Sequence, residues 1–192
     1  MLLAFHKPYG FLSQFTPEAG SKWGTLAEFG FPARVYPIGR LDADSEGLLL
    51  LSDEGHLNAA LLSPEHGHWR EYHALVEREP DDSAMTRLRS GLVLAGRRTL
   101  PCEACVMDPQ PIYPPRVPAV RVRKTVTDWW VSLRLREGKY HQVRKMTAAV
   151  GHPTLRLIRV AIGGLRLADV GLSAGEWRAL NFAERALLTN GV

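Results

Sequence analysis

Gly39-Arg40-Leu41-Asp42-Ala43-Asp44-Ser45-Glu46-Gly47 runs without interruption into Leu48-Leu49-Leu50-Leu51. Four consecutive leucines read as a short strand buried on both faces, since a strand with one wet face would alternate. The glycine-bracketed stretch before them reads as a loop crowded with carboxylates, tied to the core on its C-terminal side. A carboxylate held that way is aimed, as a nucleophile or a metal ligand has to be. Two other readings compete. Asp, Ser and Gly are ordinary turn residues. Asp42, Asp44, Glu46, Gly47 and Asp53 also fall at positions 1, 3, 5, 6 and 12 of an EF-hand calcium loop. Calcium fails on context: an EF-hand needs a helix on each side, whereas Pro37 and Gly39 precede this loop and leucines fill its second half.

The chain of 192 residues is long enough for one substantial domain, or two subdomains sharing a core, and a hydrophobic content of 45% argues for a folded globule. No apolar run reaches the length of a membrane span, and the N-terminus lacks a basic segment followed by a long apolar one. We therefore expect a soluble cytoplasmic protein. Cys102 and Cys105 are the only cysteines, too few for a disulfide framework. Their spacing suits a redox pair or half a zinc site, yet no second pair and no βαβ context accompanies them. His66 and His68 likewise lack further ligands and read as solvated loop residues.

A net charge of +4 conceals an asymmetry. Residues 1–96 carry 8 Lys and Arg against 13 Asp and Glu, a net of −5, while residues 97–192 carry 16 against 7, a net of +9. A basic half of that size suits a polyanion such as nucleic acid.

The flanking segments supply a coarse element plan. Leu2 to Phe5 read as a strand ended by His6-Lys7-Pro8-Tyr9-Gly10. Thr25 caps a short helix to Phe29, with Glu28 at the capping-box position. Glu54 to Leu62 have helical character, with Pro64 as the stop. Arg70-Glu71-Tyr72-His73-Ala74-Leu75-Val76 alternates like a strand with Tyr72, Ala74 and Val76 on one face. Asp82 or Ser83 caps a helix through Arg89, ended by Gly91. Five prolines from Pro109 to Pro118 make an extended arm leading into Arg116, Arg121, Arg123 and Lys124. Trp130 to Arg136 alternate as a strand. Val143, Met146, Thr147 and Val150 then mark the buried stripe of a helix that leaves Arg144 on its flank, closed by Gly151 and Pro153.

Five of these segments, in order, resemble one family. The Gly39–Leu51 stretch resembles the central motif of the type A pseudouridine synthases of the small ribosomal subunit, and Lys7-Pro8-Tyr9-Gly10 resembles their first motif. The continuation Phe11-Leu12-Ser13-Gln14-Phe15-Thr16 is similar in particular to type E, which belongs to the large ribosomal subunit. Arg70 to Val76 resembles Lys-x-Tyr-x-Val, with Arg70 in place of the usual lysine and Ala74 in place of a bulkier aliphatic. Glu137-Gly138-Lys139-Tyr140-His141-Gln142-Val143-Arg144-Lys145-Met146 resembles the Glu-Gly-Lys/Arg-x-x-Gln-Val-Arg-Lys/Arg-Met signature, and Pro153 to Gly163 with Gly175 to Leu180 complete the match. The resemblance implies an α+β fold on a mixed, mostly antiparallel sheet: one catalytic domain over residues 1–192, with subdomains of about 1–65 and 66–185 flanking a basic cleft. No N-terminal RNA-binding domain of the ribosomal S4 type is expected, as in type E.

The same resemblance implies isomerisation of uridine to pseudouridine in ribosomal RNA. A uridine of 23S rRNA is the leading target, with 16S rRNA, another 23S site or a non-catalytic assembly role as alternatives. It casts Asp42 as the nucleophile, Tyr72 as the residue lying against the base and Arg144 as the partner of Asp42. Lys7, Arg40, Arg121, Arg123, Lys124, Lys139 and Arg156 are the candidate RNA contacts. The reaction exchanges one glycosidic bond for another without redox change or group donor, so no cofactor and no metal is expected. A monomer acting on rRNA, with no membrane partner, is the expectation.

Overall fold

The computed structural model describes residues 1–62, 68–120 and 125–189. In chain order the elements are β1 (Leu2–Lys7), a 3-10 turn (Leu26–Phe29), β2 (Tyr36–Ile38), β3 (Glu46–Ser52), α1 (His56–Leu62), β4 (Arg70–Glu77), α2 (Asp82–Ser90), β5 (Val93–Leu94), β6 (Arg97–Arg98), β7 (Glu103–Val106), β8 (Asp128–Leu135), α3 (Gln142–Ala149), β9 (Thr154–Ile162), β10 (Leu165–Arg166), α4 (Leu167–Val170), β11 (Trp177–Ala179) and α5 (Phe182–Thr189). The fold is α+β. Its pairings are antiparallel between β1 and β3, β1 and β11, β2 and β3, β7 and β8, and β9 and β10, and parallel between β3 and β9. Among the described residues no helix is long and apolar enough to cross a membrane.

The chain forms two compact units, Met1–Arg70 with Ile158–Val192, and Glu71–Leu157. The sequence expectation was of subdomains at about 1–65 and 66–185. The return segment belongs with the N-terminal residues because β9 pairs with Gly47 of β3 through Arg159, and β11 pairs with Phe5 of β1 through Trp177.

In the first unit the strand order is β11-β1-β3-β9. β3 is buried at all seven positions, as a run of leucines requires. Leu48 and Leu50 join Leu2, Ala4, Ile38, Leu61, Ile162 and Leu188 in one apolar cluster. The other face of β1 carries Phe5, whose ring lies 4.8 Å from Phe29 and 5.1 Å from Phe31. Along one edge β3 pairs with β1 from Gly47 to Ser52, and it also pairs with β9 at Glu46 and Gly47 and with β2 at Leu50 to Ser52. Gly47 is required here. Its φ is +108°, and a Cβ would stand 2.3 Å from the Arg159 carbonyl oxygen, a distance no side chain tolerates.

In the second unit β4, β8 and β7 are neighbours in that order. Tyr72, Ala74 and Val76 are buried as their alternation anticipated, together with Val131, Leu133, Leu135 and Met146. The α2 cap is Asp81 rather than Asp82 or Ser83: its carboxylate accepts from the Ala84 N–H at 2.7 Å, and Gly91 closes the helix by donating to the Leu88 carbonyl. Thr25 does begin the 3-10 turn, and its N–H donates to the Glu28 carboxylate at 2.9 Å. Pro64 and His66 lie outside the described residues.

Candidate active site

The loop from Gly39 to Ser45 enters β3 at Glu46, so the fifth position of the apparent calcium loop is already strand. That geometry cannot wrap an ion in the EF-hand manner. The loop is instead fixed by the segment that follows β1. The Ser13 hydroxyl donates to the Leu41 carbonyl at 2.7 Å and accepts from the Leu41 N–H at 2.9 Å. The Gly10 N–H donates to the Ala43 carbonyl at 2.7 Å, and the Ser45 N–H to the Asp42 carbonyl at 3.0 Å. Asp42 is half-buried at the centre of these contacts. The Ser45 hydroxyl donates to Asp44, at a longer 3.4 Å.

Lys7 sits beneath this loop and is fully enclosed, with no exposed surface. Its ammonium donates to the Pro8 carbonyl at 2.9 Å and the Phe11 carbonyl at 2.7 Å. Burial pushes its pKa down from 10.5 to about 7, against the pull of Asp44, Glu46 and Asp42 and with Arg159 adding to the fall. Arg159 is itself 4% exposed, and its Nε donates to the Leu48 carbonyl at 2.7 Å. Sequence reading placed Lys7 among the RNA contacts. Here its ammonium is enclosed and engaged with the Pro8 and Phe11 carbonyls. Ser13 and Arg159 were not singled out as site residues, and Glu46 only as a position of the calcium reading, although each stands in a quoted motif. Their roles depend on pairings distant in sequence.

Tyr72 is 9% exposed in the interior of β4. The neighbouring His73 bonds to the Tyr113 hydroxyl and, at 3.3 Å, to Glu71. Arg144 is half-buried on α3, and its guanidinium donates to the Thr154 carbonyl at 3.4 Å. The signature residues before it shape the helix start. Glu137 accepts from the Gln142 amide at 2.7 Å and the Leu100 N–H at 2.8 Å, while the Gln142 side chain accepts from the Lys139 N–H at 3.0 Å. His141 takes a left-handed conformation, φ +54°, at the N-cap. The motif therefore fixes the turn from which α3 presents Arg144.

The family signalled by these motifs has a direct counterpart. The model of the RNA pseudouridylate synthases matches residues 1–149. The chain belongs to that family. It is an enzyme that isomerises uridine in RNA to pseudouridine. Among proteins similar to it, the ribosomal large subunit pseudouridine synthase E of Xanthomonas campestris pv. campestris is 49% identical over 178 residues, 93% of this chain and 94% of that one. The ribosomal large subunit pseudouridine synthase E of Vibrio vulnificus is 41% identical, covering 94% of this chain and 75% of its own. A crystal structure of a pseudouridylate synthase superposes with a TM-score of 0.79 at 27% identity, over 97% of this chain and 73% of that one.

The remaining basic candidates of this pseudouridine synthase divide by exposure. Arg40 is exposed, 4.0 Å from Glu18, and Lys139 is exposed, 3.2 Å from Glu137. Arg156 is buried to 8%: it donates to the Pro114 carbonyl at 2.8 Å and lies 5.9 Å from the Tyr113 ring. It ties the proline arm to β9. Arg121, Arg123 and Lys124 lie outside the described residues. His68 is buried rather than solvated, its Nε2 3.2 Å from the Ala60 carbonyl. Cys102 is buried, its thiol donating to the Leu88 carbonyl at 3.2 Å and pushed up to about 11 by burial, whereas Cys105 is exposed.

Proposed function

We propose that this enzyme modifies a uridine of 23S rRNA, the RNA of the large ribosomal subunit, acting as a monomer, with Asp42 as the nucleophile. The observation that carries the reading is end-to-end similarity to a ribosomal large subunit pseudouridine synthase E, 49% identity across more than nine-tenths of both chains. The chemistry sets three needs. The N1–C1′ bond must break, the uracil must turn while it stays bound, and C5 must bond to C1′ as its proton leaves. An ionised carboxylate serves the first step, and Asp42 supplies it. Arg144 is the cation proposed to pair with that carboxylate once RNA is bound, a pairing that would favour its charged form. Tyr72 supplies the wall against which the base rests. A uridine within a helix has first to be flipped out, at a cost on the order of a few kcal/mol, which contacts to the basic side chains offset.

The test is a map of pseudouridines in 23S and 16S rRNA from cells with and without the protein. Loss of one 23S pseudouridine is the expected result. Loss of a 16S site reassigns the substrate, and an unchanged map in both RNAs sinks the rRNA reading.

A further inference from the structure

We propose that Ser13 is a positioning residue for the nucleophile: its hydroxyl fixes the backbone of Leu41 and so sets the direction of the Asp42 carboxylate. The inference rests on the assignment of Asp42 above and goes beyond it. Ser13 is 3% exposed, and its one hydroxyl serves both polar groups of a single residue 28 positions away. The Leu41 N–H belongs to the peptide plane before Leu41, and the Leu41 carbonyl to the plane joining it to Asp42. The next plane is held through the Asp42 carbonyl by the Ser45 N–H, and the one after through the Ala43 carbonyl by the Gly10 N–H. Every peptide plane adjoining Asp42 is thus hydrogen-bonded, and the two outer anchors come from one strap, Gly10–Ser13.

The strap is itself held in place. The Leu12 N–H donates to the Gly24 carbonyl at 2.8 Å, the Gly24 N–H to the Gly10 carbonyl at 2.9 Å, and Lys7 to the Phe11 carbonyl. A hydroxyl that donates and accepts on a fixed base defines the Leu41 backbone more tightly than apolar packing does, because hydrogen bonds are directional. Reaction rate is steep in nucleophile placement: a shift of about 1 Å costs on the order of 100-fold. Substrate affinity, spread over the RNA backbone, is not.

The experiment compares Ser13→Cys, Ser13→Ala, Ser13→Thr and the control Ser52→Ala under single and multiple turnover. Ser52 is similarly buried, 6% exposed, and its hydroxyl likewise donates to a carbonyl (Met1, 2.6 Å) and accepts from an N–H (Glu54, 3.0 Å), away from the Asp42 loop. Ser13→Cys keeps a heavy atom at the hydroxyl position while weakening both bonds. We expect kcat to fall roughly 10- to 100-fold in Ser13→Cys and Ser13→Ala, with KM and RNA affinity within about twofold. Ser13→Thr restores most of the rate, and Ser52→Ala shows a lowered Tm with full kcat. Full kcat in Ser13→Cys and Ser13→Ala overturns the proposal, as does an equal kcat loss in Ser52→Ala, which would mark general destabilisation. Asp42→Asn, assayed in parallel, separates the two levels: if it turns over, the nucleophile is misassigned, whereas an inactive Asp42→Asn beside a fully active Ser13→Ala refutes the positioning role alone.

Discussion

Asp42 and Asp44 stand two residues apart on one loop, yet their surroundings differ. Asp42 is flanked by residues whose backbone is clamped from Gly10 and Ser13, while Asp44 accepts from the adjacent Ser45 hydroxyl, a bond within the turn. Asp42→Asn keeps size and shape but removes the nucleophilic charge. Pseudouridine formation on a 23S fragment is therefore expected to vanish while affinity for the fragment stays or tightens, one negative charge having been removed from a phosphate-facing site. Asp44→Asn is expected to retain most of the activity. A dead Asp44→Asn beside an active Asp42→Asn would reverse the assignment. Tyr72 carries a second prediction at this scale. Stacking a base on an aromatic ring contributes about 1 to 3 kcal/mol, and phenylalanine keeps the ring. Tyr72→Phe is thus expected to retain far more activity than Tyr72→Ala; equal loss in both would assign the work to the hydroxyl, as a proton carrier at C5.

At the scale of the element, β1 ends in a lysine that the fold encloses, and the cost of that placement is readable against pH. Burial lowers the Lys7 pKa from 10.5 to about 7. Between those values the unfolded chain binds more protons at this site than the native one, so stability rises with pH across the window, by up to about 1.4 kcal/mol per pH unit. Below pH 7 the unfavourable contribution of the enclosed ammonium is present in full; above 10.5 it is gone. Denaturant midpoints of the wild type and Lys7→Met measured from pH 7 to 10 are expected to converge as pH rises, the variant lacking the slope. Parallel curves would mean that Lys7 titrates near its ordinary value. The strand that follows, β3, shows how much of an element a local pattern carries. Four leucines announced burial on both faces, and the structure buries all seven residues. Its left-handed Gly47 was visible only as a glycine, because the obstructing Arg159 carbonyl comes from a strand more than a hundred residues later.

For the whole molecule, the basic candidates read from the sequence are re-sorted by burial. Lys7 and Arg156 are enclosed and engaged with carbonyls, whereas Arg40 and Lys139 are exposed. Each phosphate contact on duplex RNA contributes roughly 0.9 to the slope of log K against log salt, by analogy with B-DNA. Arg40→Ala with Lys139→Ala is therefore expected to flatten that slope by nearly two units, while Arg156→Ala lowers stability and leaves it largely unchanged. A slope that falls for Arg156→Ala and not for the double variant would place the RNA on a different surface.

By itself the sequence determined the elements whose signals are local. The both-face leucine strand, the alternation through Tyr72, Ala74 and Val76, the stripe of α3 and the Thr25 turn are set by side-chain periodicity and capping over a few residues, whereas Asp42, Tyr72 and Arg144 were named from the resemblance of their motifs to one family. Tertiary structure alone decided which distant segments meet. That Ser13 grips Leu41, that Lys7 lies among Asp42, Asp44 and Glu46, that Arg156 turns inward to Pro114, and that Ile158–Val192 rejoins the N-terminal unit all depend on hydrogen bonds and burial between residues 28 or more apart, or on enclosure by elements that periodicity does not locate. A lysine or arginine reads as surface charge until the fold encloses it, because the cost of burying a cation is offset only by carbonyls and carboxylates that other parts of the chain supply.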